Sequence, residues 1–282
     1  MQPLKFSEKE YSMFRDLVYN ECGINLSNDK KELLRARLGK RLRQNGMSDF
    51  RQYYKYLTEE DSGDELTLML DCVSTNLTRF FREKKHFEFL SSDVLPAIIA
   101  ESNGSRKLNI RVWSAGCSSG EEPYSLAFWL LSQIGDAYQA DIKILASDIS
   151  TRMLDLAQKG VYQVSKTDQI PLAMHRQYLQ KGVGQWEGYL RVKPEIRRLI
   201  QFKRVNLMDA FSIPETFDFI FCRNVMIYFD RLCQENLINK FHTCLKNGGY
   251  LFVGHSESLT GLKQSYKYVR PAIYQKIKGG TA

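Results

Sequence analysis

The chain changes its hydrophobic period once, near residue 105, and that change constrains its fold more than any other feature. Before it, apolar residues recur only at helical spacing, as in Tyr11-Phe14-Val18, Leu34-Leu38-Leu42 and Leu66-Met69-Leu70-Val73. After it, short β-branched and aromatic runs alternate with helical ones. The first part therefore reads as all-α and the second as a parallel α/β sheet.

Punctuation refines this. Ser7 and Glu10 form a capping box for the first helix, which Gly23 stops. Asp29 with Glu32 opens a second helix ending near Gly46, Ser48 opens a third, and a fourth fills 63–73. A helical run from about Glu83 through Ile99 reaches the loop signal Asn103-Gly104-Ser105. Strands are then predicted at 110–113, 143–147, 200–205, 217–222 and 250–253. Helices are predicted from Glu121 to about Gln133, over 151–159 and from Arg231 to about Leu245. Two terminal strands, 266–269 and 273–277, flank Pro271 as an antiparallel edge. Between about Pro171 and Leu199 the alternation breaks, and the glycine-punctuated stretches 181–184 and 187–192 read as a small inserted β-subdomain. The expected division is an all-helical domain over 1–75, a linker with lead-in helices over 76–105, and a Rossmann-like sheet domain over 106–282. The insertion falls at about 170–199.

Composition excludes several classes. With 43% apolar and 26% charged residues among 282, collagen-like and disordered chains are out. The longest apolar run, near Leu126 to Leu131, is far below the ~20 residues of a membrane span. The early charges Lys5, Glu8, Lys9 and Glu10 leave no signal-peptide core. The 6 cysteines include no Cys-x-x-Cys pair, so reduced thiols, no metal site and a cytoplasmic location are expected. The net charge of +8 favours an acidic partner. Much of it crowds between Lys30 and Arg43, where Lys30, Arg37 and Arg41 cluster beside the Leu34-Leu38-Leu42 stripe. That pattern describes a helix packed on one side and cationic on the other, which suits a solvated face and a docking face equally well.

The strongest local motif is Trp113-Ser-Ala-Gly-Cys-Ser-Ser-Gly-Glu-Glu-Pro-Tyr-Ser125. Small residues after a strand, Gly116 among them, let a ligand approach the backbone. No Lys-Ser/Thr follows the glycines, so a phosphate-cradling loop fails. Glu121 and Glu122 at the helix start disfavour a pyrophosphate and suit a cationic or hydroxyl-rich ligand. Asp148 at the second strand tip is placed to accept ribose hydroxyls or to cap the next helix. Asn206 and Leu207 follow the third tip, and Arg223 and Asn224 follow the fourth, where ligands lodge in open α/β sheets. Asn76-Leu-Thr-Arg-Phe-Phe-Arg82, with Thr78 inside it, joins the two halves and reads as interdomain packing or a lid.

Together these motifs resemble the CheR-type chemotaxis receptor methyltransferases. The resemblance rests on Asn76–Arg82, Trp113-Ser-Ala, Gly120-Glu-Glu-Pro-Tyr-Ser125, Ala146-Ser-Asp148, Cys222-Arg-Asn-Val-Met-Ile-Tyr-Phe229 and Gly254-His-Ser-Glu257, and it spans nearly the whole chain. It implies transfer of a methyl group from S-adenosylmethionine to receptor glutamates, leaving S-adenosylhomocysteine. It also implies that Asn76, Thr78, Arg82, Gly116, Glu122, Asp148, Asn206, Leu207, Arg223 and Asn224 surround the cofactor. Arg82 and Tyr228 match the catalytic positions. The implied partner is the cytoplasmic helical bundle of a methyl-accepting receptor, met by Lys30, Arg37 and Arg41. A receptor tail peptide would meet the β-subdomain near Trp186. A monomer that neither enters a membrane nor binds nucleic acid is expected. A nucleic-acid methyltransferase is the nearest rival, but the fourth strand tip lacks an Asn/Asp-Pro-Pro-aromatic segment and no Pro-Cys occurs. A non-catalytic cofactor sensor is countered by the presence of Arg82 and Tyr228, and a nicotinamide oxidoreductase by the paired glutamates.

Overall fold

The structure, a computed structural model, describes residues 5–102, 104–135, 138–210 and 213–277; Asn103 of the expected loop lies outside them. The helical part contains α1 (Glu8–Cys22), α2 (Lys31–Gln44), α3 (Phe50–Lys55) and α4 (Asp64–Val73). Its core gathers Tyr11, Phe14 and Val18 with Leu34, Leu38 and Leu42, and with Phe50, Tyr53, Met69 and Val73. These are largely the residues that the 3.6 period marked. The capping box forms, with Ser7 Oγ accepting from Glu10 N at 3.2 Å and Glu10 Oε2 from Ser7 N at 2.7 Å. Gly23 ends α1 at φ 72°, a conformation that favours glycine.

Two helix starts differ from expectation. Asp29 does not cap α2: a short 3₁₀ turn, Asn28–Lys30, intervenes, and the Asp29 carboxylate takes the Ser27 hydroxyl instead. The third helix is capped by Asp49, whose carboxylate reaches both Arg51 N and Gln52 N. The bridge to the sheet runs through α5 (Lys84–Phe89), a wider-wound turn at Leu90–Val94, and α6 (Leu95–Glu101).

The second part follows in chain order as β1 (Lys107–Ala115), α7 (Glu121–Ile134), β2 (Gln139–Asp148), α8 (Thr151–Lys159), β3 (Val161–Gln163), α9 (Leu172–Tyr178), β4 (Leu179–Lys181), β5 (Tyr189–Val192), α10 (Pro194–Arg197), β6 (Ile200–Arg204), β7 (Phe217–Cys222), α11 (Arg231–Cys244), β8 (Leu245–Val253), β9 (Tyr266–Arg270) and β10 (Ile273–Lys276). A seven-stranded sheet has the order β6-β2-β1-β7-β8-β10-β9. The pairs from β6 through β8 are parallel, and β10 pairs antiparallel with both β8 and β9, as the alternation and the Pro271 break predict. Strands β1 and β2 begin earlier than expected because their first halves alternate exposed Lys107, Asn109 and Lys143 with buried Leu108, Ile110 and Ile142. Further along, β1 is buried on both faces. Ile110 and Val112 join Phe219 and Phe252 on one side, while Trp113 and Ala115 meet Phe217 and Phe241 on the other.

The inserted subdomain is a separate antiparallel sheet, β3-β5-β4. It begins with β3, earlier than the expected residue 170, because three residues are too few to display a period. The 181–184 stretch is mostly its turn, with Gly182 packed so closely on Trp186 that a Cβ would lie 2.1 Å from the Trp186 carbonyl oxygen.

Candidate active site

The chain runs outward from β1 through β2 to β6, then returns to the other side of β1 as β7. This reversal leaves a crevice at the carboxyl ends of the strands. A cavity of about 600 Å³ lies there, roofed by the helical domain and the 73–82 linker. Its lining includes Asn76, Thr78, Arg82, Gly116, Glu122, Asp148, Asn206, Leu207, Arg223, Asn224 and Tyr228, so the structure brings all the expected cofactor and catalytic residues together.

Gly116 turns the chain out of β1 at φ 80°, and a Cβ there would lie 2.4 Å from Val225 Cγ2. A side chain there would collide with that of Val225 in a backbone conformation that favours glycine. Asp148, buried at the tip of β2, accepts from Ser118 N at 2.8 Å and from Ser150 N at 2.9 Å. Burial pushes its carboxyl above the usual range, against the pull of those amides. Ser150, not Asp148, caps α8, its Oγ accepting from Met153 N.

A buried polar cluster braces the far wall. Glu122 Oε2 accepts from Arg223 Nε at 2.7 Å, and its Oε1 from Ser114 Oγ at 2.7 Å. Arg223 Nη1 also donates to the Arg82 carbonyl at 2.5 Å and stands 3.4 Å from Glu83 Oε2 and 3.5 Å from His86 Nδ1. The expected ligand-facing Arg223 and Glu122 thus spend much of their charge on each other, because neither can be buried unpaired. Glu83, His86 and His255 are grouped closely enough to suggest metal ligands, yet the cation beside Glu83 and His86 is Arg223. Burial, with Arg223 and His255 nearby, pushes His86 down to about 3, so it is neutral near pH 7 and no base.

The linker is pinned rather than loose. Phe80 is buried, stacked on Phe128 and edge-on to Tyr162, and Phe81 N donates to Ser125 Oγ at 2.9 Å. Ser118 Oγ donates to the Asn76 carbonyl at 2.9 Å. Arg82 Nη1 reaches the Leu77 carbonyl at 3.1 Å. Asn206 does not turn its amide wholly to the cavity: Nδ2 donates to the Glu21 carbonyl at 2.6 Å and to Asp209 Oδ1 at 2.9 Å, fixing the β6 loop to α1.

The expected docking cations separate. Lys30 and Arg37 line the cavity, and Arg37 Nη1 donates to the Val73 carbonyl at 2.5 Å. Arg41 points into the helical domain, paired in two-pronged fashion with buried Glu65, which also accepts from Tyr53 Oη. Its charge is committed internally, because buried Glu65 requires a cation. The outward cations of α2 include exposed Lys40 and Arg43. Trp186 lies away from the cavity, 53% exposed on the small sheet and edge-on to Tyr189.

Two contributors went unassigned in the sequence. Buried Glu257 accepts from Gly254 N at 2.5 Å, Asn224 N at 2.8 Å and Ile227 N at 3.1 Å, and so holds the 224–228 loop, in which Asn224 has φ 59°. The motif Gly254-His-Ser-Glu257 was the available signal. Glu83, also at positive φ, was hidden because its partner Arg223 lies far along the chain.

Comparison with known proteins agrees with this geometry. Residues 9–74 match the family described as CheR methyltransferase, all-alpha domain, and residues 76–274 match CheR methyltransferase, SAM binding domain. The chemotaxis protein methyltransferase of Borreliella burgdorferi is 40% identical over 97% of this chain and 96% of its own. Those of Salmonella typhimurium and Escherichia coli are 37% and 35% identical, each over 98% of this chain and 93% of their own. An all-α domain closing over the strand tips of a methyltransferase sheet, matched along almost its whole length, makes this chain a member of the CheR methyltransferase family.

Proposed function

We propose that the chain methylates glutamate side chains of chemoreceptors, forming glutamyl methyl esters, with S-adenosylmethionine as donor. The observation that carries this reading is the convergence of the linker, the strand tips and α2 on one cavity, with Arg82 and Tyr228 in its lining.

The residues present fit the donor. The cavity volume is within the usual range for sites of drug-sized ligands. Asn224 Oδ1 is buried without a hydrogen-bond partner among the described residues, an acceptor awaiting a donor group. Asp148 offers carboxylate lone pairs to ribose hydroxyls, and Glu122 offers anionic character near the amino-acid portion. Asn76, Thr78, Gly116, Asn206, Leu207 and Arg223 complete the enclosure. When bound, S-adenosylmethionine supplies an electrophilic methyl group on a sulfonium.

The acceptor needs little activation. A solvated glutamate side chain titrates at about pH 4.3 and is already anionic at neutral pH. The residues therefore lower the barrier by alignment and by excluding water. Arg82 and Tyr228 orient the carboxylate, and neither removes a proton. A full ion pair with Arg82 would blunt the nucleophile; the tether from Arg82 Nη1 to the Leu77 carbonyl supports a positioning role.

Lys30 and Arg37 at the cavity suit an acidic receptor surface, and exposed Trp186 suits a receptor tail peptide at the small sheet. No helix among the described residues is long and apolar enough to cross a membrane. The test is incubation with radiolabelled methyl donor and receptor-containing membranes. Base-labile label on the receptor is expected; label on nucleic acid, or none, contradicts the reading.

A further inference from the structure

Lys240, a half-buried residue of α11 outside the cavity lining, gathers three successive carbonyls of the loop after β6. Its Nζ donates to Leu207 O at 3.2 Å, Met208 O at 2.8 Å and Asp209 O at 2.7 Å. Three acceptors match the three N–H donors of an ammonium. The same loop is tied to the helical domain. Asn206 Nδ2 donates to the Glu21 carbonyl, and Asn206 Oδ1 accepts from Met208 N at 3.1 Å. Met208 packs on Gly23 at the end of α1, where a Cβ would lie 2.6 Å from its side chain. Lys276 offers a comparison: its Nζ donates to the His242 and Leu245 carbonyls at 2.7 and 2.8 Å, where α11 ends. Neither of those acceptors lines the cavity, whereas the loop that Lys240 holds does so through Asn206 and Leu207.

We propose that Lys240 is a positioning residue for the methyl donor: by gathering the Leu207, Met208 and Asp209 carbonyls it holds Asn206 and Leu207 at the cavity wall. This rests on the donor reading above and adds to it a residue that touches no donor atom. Strand order indicates which part of the donor feels the loop. On that reading Glu122, after β1, faces the amino-acid portion and Asp148, at the β2 tip, the ribose; β6 lies beyond β2, so its tip meets the base. Without the ammonium the three carbonyls lose their donor and the loop is free to leave the wall. The cost of ordering it again then falls on donor binding. Arg82 and Tyr228 come from other segments, so the chemical step is left intact.

The test compares Lys240→Met and Lys240→Arg with Lys276→Met. In Lys240→Met the KM for S-adenosylmethionine should rise about tenfold, and calorimetric affinity for S-adenosylhomocysteine should fall by the same factor. Turnover at saturating donor should stay within about twofold of wild type. Lys240→Arg, which keeps the charge and several donors, should recover most of the affinity. Lys276→Met should lower the melting temperature and move neither constant. Should Lys240→Met fail to fold, Lys240→Gln, which keeps N–H donors without the charge, should show about a threefold loss of affinity. Unchanged KM and affinity in the folded Lys240 variant overturn the proposal. A fall in turnover with both constants unmoved also overturns it, because Lys240 would then be structural in the way Lys276 is. Folded wild-type protein that binds no S-adenosylhomocysteine removes the donor reading itself, and the role of Lys240 with it.

Discussion

The backbone amide of Asn25, in the helical domain, donates a 2.8 Å hydrogen bond to the carbonyl of Tyr228, in the loop after β7. The helical domain thereby grips the segment that carries a proposed catalytic side chain. A neighbouring contact reinforces the grip, Tyr19 Oη donating to Asp230 Oδ2 at 2.5 Å, and the helical domain separately holds α8, where Asp71 accepts from Thr151 N and Arg152 N at 3.1 Å each. On the other side Glu257 holds the same loop through Asn224 N and Ile227 N. Tyr228 is thus positioned from both domains.

If Arg82 and Tyr228 align the acceptor, Arg82→Ala and Tyr228→Phe should each lower turnover by about a hundredfold. Affinity for S-adenosylhomocysteine should fall much less. Steady-state kinetics beside calorimetry separates the two, and near-wild-type turnover in both variants would refute the assignment.

Asp148 should make cofactor affinity depend on pH. Burial raises its carboxyl, and only the anion keeps every lone pair available for ribose hydroxyls. Affinity should therefore weaken on acidification at a higher pH than an ordinary aspartate would give. Asp148→Asn should bind about tenfold more weakly and lose that dependence. Stability moves the other way: a carboxyl raised in the fold favours folding while protonated, and that contribution is lost as pH rises through the folded value. Calorimetric titrations across the acidic range check the first sign, and unfolding at the same pH values checks the second.

The sequence disclosed most of this site because its residues sit directly after strands, and strand tips are legible from the period of the runs preceding them. Gly116, Asp148, Asn206 and Arg223 all follow such runs, and all line the cavity. Pairing between distant segments was not legible. Nothing local predicts that Arg223 will face Glu122 and Glu83, or that Arg41 will turn inward to Glu65. Strand β3 is illegible because three residues carry no measurable period, whereas the helix predicted over 151–159 coincides with α8.

Glu122→Gln should destabilise the protein. It leaves Arg223 buried beside Glu83, a weaker anionic partner at 3.4 Å, so a loss of about 3 kcal/mol is expected. Guanidinium unfolding measures it; an unchanged midpoint would mean that the pair contributes nothing.

The basic helix should divide by role. Arg41→Ala removes the partner of buried Glu65 and should cost about 3 kcal/mol of stability. Lys30→Glu should leave stability nearly unchanged, raise KM for receptor membranes and weaken its salt dependence. Thermal melts and kinetics at two ionic strengths distinguish these outcomes. Unchanged kinetics on reversing Lys30, Lys40 and Arg43 together would remove α2 and the turn before it from receptor docking.

The central claim is that the methyl donor lodges where the helical domain meets the strand tips. Titration calorimetry with S-adenosylhomocysteine tests it directly, on the wild-type chain and on Gly116→Val, whose side chain would press on Val225. Wild type should bind one molecule per chain and the folded variant should bind none. A folded wild-type protein that gives no heat, or a variant that binds as tightly as wild type, would contradict it.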